Sequence, residues 1–150
     1  MEHIIEVEHL QKSYGNVKAV KDVSFYVELG KLFAFLGPNG AGKSTTINSI
    51  CTFLKPDSGK VIVNGYTLGR QDDEIRKSIG TVFQESLLDD LLTVKENLEL
   101  RGSFYHMNKR QLQQAIKWVS KVTEIEDFLN RPYGKLSGGQ KRRADIARGL

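Results

Sequence analysis

Apolar and polar residues alternate over the first part of the chain. In residues 4–10, Ile5, Val7 and His9 alternate with Glu6 and Glu8, the two-residue period of a half-buried strand. After a turn at Tyr14-Gly15-Asn16, Val23, Phe25 and Val27 alternate with Ser24, Tyr26 and Glu28, which predicts a second strand. Gly30-Lys31 turns the chain into Leu32-Phe33-Ala34-Phe35-Leu36, an unbroken apolar run that reads as a strand buried on both faces. The period becomes helical over 43–53, with Ile47, Ile50 and Leu54 near one stripe, until Pro56-Asp57-Ser58-Gly59 stops it. A short strand at 61–63, a brief helix at 73–77 and a strand at 79–83 follow. From 93 to 123 two helical patterns break near His106-Met107-Asn108, with Leu112, Ile116, Val119 and Val122 spaced as a packed face. Trp118, Tyr105 and Met107 read as packing residues of this segment. After Pro132-Tyr133-Gly134 a last helix starts at Ser137 or Gly138 and runs to the end.

Composition narrows the class without naming a chemistry. A chain of 150 residues supports one domain with a real core. An apolar fraction of 39% and a charged fraction of 27% are those of a folded globular chain, not a disordered one. The run at 32–36 is far short of the roughly 20 residues of a membrane helix. The start, Met1-Glu2-His3-Ile4-Ile5-Glu6, shows no leader pattern. The single Cys51 excludes an internal disulfide and fits a reducing compartment, with the cytoplasm as the default. The net charge of +4 reads as a solvated surface or as a basic face for phosphates, nucleic acid or a membrane surface. Lys141-Arg142-Arg143 with Arg148 is its one cluster.

The first chemistry lies at 37–44. Gly37-Pro38-Asn39-Gly40-Ala41-Gly42-Lys43-Ser44 has the pattern of a phosphate-binding loop, between an apolar run and a helical pattern. Glycines at 37, 40 and 42 let several backbone N–H groups converge on one anion. The helix that follows points its positive end at the same place. Lys43 supplies a full charge able to reach β- and γ-phosphates, Ser44 a hydroxyl for Mg²⁺, and Thr45 a hydrogen bond to the α-phosphate. The expected ligand is Mg-ATP. The loop by itself leaves kinases, GTPases, helicases and transport ATPases open.

A second motif narrows that choice. Leu136-Ser137-Gly138-Gly139-Gln140 heads the basic helix, where a hydroxyl cap and glycines expose helix N–H groups to an anion. Together with the loop, it resembles the signature of ATP-binding cassette (ABC) ATPases. The resemblance covers the whole chain and implies an α/β fold. That fold has a P-loop NTPase-like sheet core, N-terminal antiparallel strands and an inserted helical subdomain. On this reading 1–90 form the β-rich core, 91–136 the helical subdomain and 137–150 the signature and its helix. Gln84 resembles the Q-loop glutamine, which senses Mg²⁺ and the attacking water and moves with the membrane partner. Tyr14 resembles the aromatic that stacks on adenine, against a plain role in turn packing.

In this family two cassettes pair head to tail, and each ATP lies between the loop of one and the signature of the other. Ser137, Gly139 and Gln140 would therefore meet ATP held by a second cassette, while Gly37, Asn39, Gly40, Ala41, Gly42, Lys43, Ser44 and Thr45 hold this chain's own. The resemblance implies Lys43 and Gln84 as catalytic, and Ser44 and Gln84 at the metal. It implies an ATPase subunit at the inner face of a membrane, coupled to a transmembrane permease, with no nucleic acid as partner. The stretch Leu87-Leu88-Asp89-Asp90-Leu91-Leu92-Thr93-Val94-Lys95-Glu96-Asn97-Leu98 is similar to the post-Q-loop stretch of drug- and antibiotic-exporting cassettes. Only 94 residues separate Lys43 from Ser137, leaving no room for the long coiled coil of chromosome-maintenance relatives. A soluble cassette acting on nucleic acid or ribosomes, or a nucleotide-binding module without turnover, are the alternatives. The family's Walker B strand with its Asp-Glu, and the switch histidine, follow the signature and are not present before Leu150. None of His3, His9 and His106 replaces that histidine. The expectation is therefore the N-terminal part of a longer cassette, self-associating and hydrolysing ATP negligibly alone.

Overall fold

Residues 3–150 are described in a computed structural model; Met1 and Glu2, part of the chain start read above, lie outside them. The chain divides into two compact units, Met1–Ile79 and Gly80–Leu150.

The first unit is built on an antiparallel sheet in the order β2-β1-β3-β4, with β1 His3–Tyr14, β2 Val17–Glu28, β3 Ser58–Val63 and β4 Tyr66–Thr67. The helices α1 Lys43–Ile50 and α2 Asp72–Ser78 complete it. Val7, Leu10, Val20, Val61, Val63 and Ile75 form the core, which β-branched residues fill well on a pleated surface. The first strand does not keep one alternation throughout. His9 adopts φ +50° within an irregularity between Val7 and Leu10, and its N–H donates to Ser24 Oγ at 2.8 Å. The extra residue turns His9 outward and Leu10 into the core, so the expected shared face of Ile5, Val7 and His9 ends at Val7.

Two expected strands do not form. Residues 32–36 form no strand, since no described strand pairs with them, and Leu32 and Leu36 are 100% and 88% exposed. A strand exists only as a member of a ladder, and apolar sequence without a neighbouring strand leaves its backbone unpaired. Phe33 and Phe35 instead lean on Phe25 of β2, with ring centroids 5.2 and 5.3 Å away. Residues 79–83 likewise join no ladder. The helix after the loop also ends earlier than expected, at Ile50, and buries Thr46 and Ser49 while Ile47 stays exposed.

The second unit is helical: α3 Val94–Ser103, α4 Lys109–Val122 and α5 Gly138–Gly149, joined by two short 3-10 turns. Val94, Leu98, Ile116, Val119, Ile125, Phe128, Tyr133, Leu136, Ala144 and Ala147 form its core. The packed stripe of α4 runs through Leu112, Ile116 and Val119 to Thr123, whereas Val122 faces outward. Trp118, Tyr105 and Met107, expected to pack, are exposed; Trp118 lies two residues from Ile116 and so on another side of the helix. Each of α3, α4 and α5 opens with a capping box, at Thr93/Glu96, Asn108/Gln111 and Ser137/Gln140.

Candidate functional site

The loop at 37–44 leads into α1, and this helix begins differently from α3, α4 and α5. Its first residue is preceded by Gly42 at φ +82°, and no side chain caps it. The N–H groups that a capping box satisfies elsewhere are therefore left to whatever anion approaches. Gly42 is required twice over. A Cβ on it would run into the Ala19 carbonyl oxygen and come within 3.0 Å of Val20 Cγ2, so the loop lies directly against β2. Gly40, at φ +83°, has open space on that side. Ala41 N–H donates to Pro38 O at 3.2 Å and closes the turn, and Thr46 N–H donates to Gly42 O at 2.9 Å.

Lys43 bends back over its own loop. Its Nζ donates to the Gly37 and Pro38 carbonyls at 2.6 and 2.7 Å. Ser44 is exposed one residue on, and Thr45 is half-buried with its carbonyl accepting from Ser49 Oγ at 3.0 Å. Asn39 and Ala41 lie exposed in the turn. The glycine cradle, the uncapped helix start and the lysine together form a donor set for a polyphosphate, so the residues present fit a nucleotide.

Tyr14 ends β1, 51% exposed, opposite Val17. Lys12 pairs with Val20, the residue packed against Gly42, so Tyr14 stands two residues along the strand, about 7 Å from that register. Lys12 also donates to Asp57 at 2.8 Å, as Ser13 N–H does at 2.7 Å. These bonds hold the Asp57 carboxyl below the usual carboxylate range and fix the hairpin end beside Tyr14.

The second unit carries Gln84 and the signature. Gln84 is exposed in an irregular segment, directly after Phe83, whose carbonyl accepts from Arg142 Nη1 at 2.7 Å. Ser137 caps α5: its Oγ accepts from Gln140 N–H at 3.4 Å and its N–H donates to Gln140 Oε1 at 3.0 Å. Gly138 and Gly139 are exposed with open space where a Cβ would stand.

The basic cluster is spent internally. Lys141 pairs with Asp90 at 3.1 Å and lies over the Tyr133 ring, Arg142 holds the Phe83 carbonyl, and Arg143 donates to Glu124 O at 3.0 Å. Pattern reading passed over Asp145, the one acidic residue of α5, whose Oδ1 accepts from Ser86 Oγ at 2.6 Å and from Tyr133 Oη at 3.1 Å. Burial, with Asp145's charge beside it, raises the Tyr133 hydroxyl. Asp145's isolation among Lys141, Arg142, Arg143 and Arg148 is the signal that could have marked it. Among the described residues no group of three or more His, Cys, Asp or Glu is placed to hold a metal, and no helix is long and apolar enough to cross a membrane.

Comparison with known proteins agrees with this layout. The family model described as ABC transporter matches residues 20–150. The Nod factor export ATP-binding protein I of Rhizobium sp. (strain N33) is 39% identical over 146 residues, covering 97% of this chain and 48% of that protein. The ABC transporter ATP-binding protein NatA of Bacillus subtilis (strain 168) is 38% identical over 135 residues, 89% of this chain and 55% of that protein. This chain thus spans about half the length of the curated relatives it matches. Among solved structures, cbiO1 from Clostridium perfringens, part of the ABC transporter complex cbiONQ, matches all of this chain and 62% of its own. Its TM-score is 0.89 at 29% identity. The dimeric cassette MJ0796 in a post-hydrolysis state bound to ADP and Pi matches with a TM-score of 0.80 at 34% identity, over 97% of this chain and 68% of that one. The chain belongs to the ABC transporter family, in its ATP-binding domain.

Proposed function

We propose that this chain is the nucleotide-binding part of a subunit that couples ATP binding and hydrolysis to export of a substrate across a membrane. The observation that carries the reading is the glycine loop at 37–44, fixed against β2 by Gly42 and feeding an uncapped helix. Backbone N–H groups of Gly40, Ala41 and Gly42 would hold the β-phosphate with Lys43, and Gly37 and Asn39 would shape the turn. Thr45 would reach the α-phosphate, and Tyr14 would offer its exposed face to the base. Ser44 and Gln84 are the residues assigned to Mg²⁺, which when bound neutralises the phosphate charge. Ser137, Gly139 and Gln140 are assigned to the nucleotide of a second cassette.

The partners in this reading are that second cassette and a membrane permease, with the protein peripheral to the membrane's inner face. Support comes from the relatives, one called a Nod factor export protein and another, LnrL of Bacillus subtilis, called a linearmycin resistance protein. Three cations of α5 are engaged within the chain, Lys141 by Asp90, Arg142 by the Phe83 carbonyl and Arg143 by Glu124.

The test is binding of a fluorescent ATP analogue to the full-length cassette. Lys43→Ala should weaken binding about tenfold or more, since charge-assisted bonds to phosphate are among the strongest. It should leave thermal melting nearly unchanged, because Lys43 bonds only loop carbonyls. Equal affinity in the two proteins would refute the assignment.

A further inference from the structure

The segments that carry Gln84 and Ser137, which the reading above gives to different neighbours, are joined by one network in the helical unit. Three side chains of α5 reach back to the segment around Gln84. Arg142 donates to the Phe83 carbonyl at 2.7 Å, Asp145 accepts from Ser86 Oγ at 2.6 Å, and Lys141 pairs with Asp90 at 3.1 Å. Ser86 Oγ in turn accepts from Leu88 N–H at 3.1 Å, so the hydroxyl sets the backbone of its own turn. The same Asp145 oxygen that receives Ser86 receives Tyr133 Oη at 3.1 Å. Tyr133 is buried and lies four residues before Ser137, in the 3-10 turn that delivers the chain to the α5 cap. Two hydroxyls from opposite sides of the motif thus share one carboxylate oxygen.

We infer that Asp145 is a positioning residue. Its carboxylate joins the Gln84–Leu88 turn to the turn that presents Ser137, Gly138 and Gly139, so that a shift in one is felt in the other. The chemistry suits the task. A carboxylate accepts both O–H groups without needing a proton of its own, and bonds to a charged acceptor are stronger than bonds between neutral groups. Arg142 and Lys141, about one turn earlier on the same helix, fix the segment's two ends at Phe83 and Asp90, leaving Asp145 to hold Ser86 between them. The functional half of the inference rests on the proposed role of Gln84 as the residue facing a membrane partner; the structural half does not.

The experiment uses the full-length cassette and has two arms. Hydrogen exchange is followed in wild type, Ser86→Ala, Asp145→Ala and Asp145→Glu. Ser86→Ala removes one hydroxyl and leaves the Tyr133–Asp145 bond, so the fold is retained. It is expected to speed exchange at 84–88 and also at 137–141, beyond Tyr133, whose hydroxyl Ser86 also meets. Change confined to 84–88 would overturn the inference. Asp145→Ala should loosen both regions, and the effect of Ser86→Ala should be absent in its background, the non-additivity of a shared contact. Asp145→Glu should restore part of the protection.

The second arm measures ATPase activity with and without the permease in membranes. Asp145→Ala should lower the permease-stimulated ratio roughly fivefold or more, the usual scale of coupling between sites, beyond any loss of basal activity. An intact ratio in Asp145→Ala would overturn the functional half. A wild-type cassette indifferent to every permease offered would instead count against the transporter reading, and the exchange arm would still decide the link through Asp145.

Discussion

Gly42 is the residue on which the nucleotide site turns. Its neighbours Lys43 and Ser44 could keep their chemistry in many settings, but only a residue without a Cβ lets the loop press against the Ala19 carbonyl at φ +82°. Gly42→Ala should therefore cost about 2 kcal/mol or more of stability, since an incompatible backbone conformation adds to a backbone clash. The loss should appear as a lowered denaturant midpoint and as weaker nucleotide binding together. Gly40→Ala, with open space but a similar φ, should cost less, and the difference between the two isolates the clash. The loop itself was legible from sequence, because its spacing is local and its glycines have local reasons. Asp145 was not, because its partners Ser86 and Tyr133 lie 59 and 12 residues away and nothing in the intervening pattern links them.

At the scale of elements, the periodicities located most helices within a few residues. Thr93, Asn108 and Ser137 each stand where a hydroxyl or amide precedes a helical pattern, and each caps its helix. The strands were harder, for a physical reason. Alternation in β1 was visible, but the irregularity at His9 that reverses it depends on Ser24 and on the close passage of Gly59, neither of them local. Residues 32–36 have all the composition of a buried strand and none of the ladder, because pairing belongs to two segments and the sequence of one cannot supply it. That segment sets the expected solution behaviour. An apolar stretch outside any ladder, with Leu32 and Leu36 open, is a surface for association between chains. Leu32→Lys with Leu36→Lys should shift sedimentation of this 150-residue chain toward monomer. Its melting should change by no more than about 0.5 kcal/mol, as is usual where a side chain makes few contacts. Unchanged self-association would place the sticky surface elsewhere.

At the scale of the molecule, the chain is two units, each with its own cluster of buried residues. Ile125 is fully buried within the helical unit, between the end of α4 and the turn that leads to Phe128. Ile125→Ala should cost roughly 3 kcal/mol by loss of burial and by the cavity it leaves. Hydrogen exchange should register the loss across α3, α4 and α5. The family could be recognised from two motifs 94 residues apart, but the packing that unites Gln84 with the signature helix needed coordinates.

The lysine that bends over its own loop has one more consequence. Lys43 already holds two carbonyl oxygens, so a ligand does not simply add a bond to an idle charge. It must outbid the loop. A neutral ligand offers nothing better than the carbonyls it displaces, whereas a chain of phosphates offers several charged oxygens to the lysine and to the loop's N–H groups at once. The resting contact thus works as a threshold, by which the loop discriminates polyanions from polar molecules before any base or sugar is read.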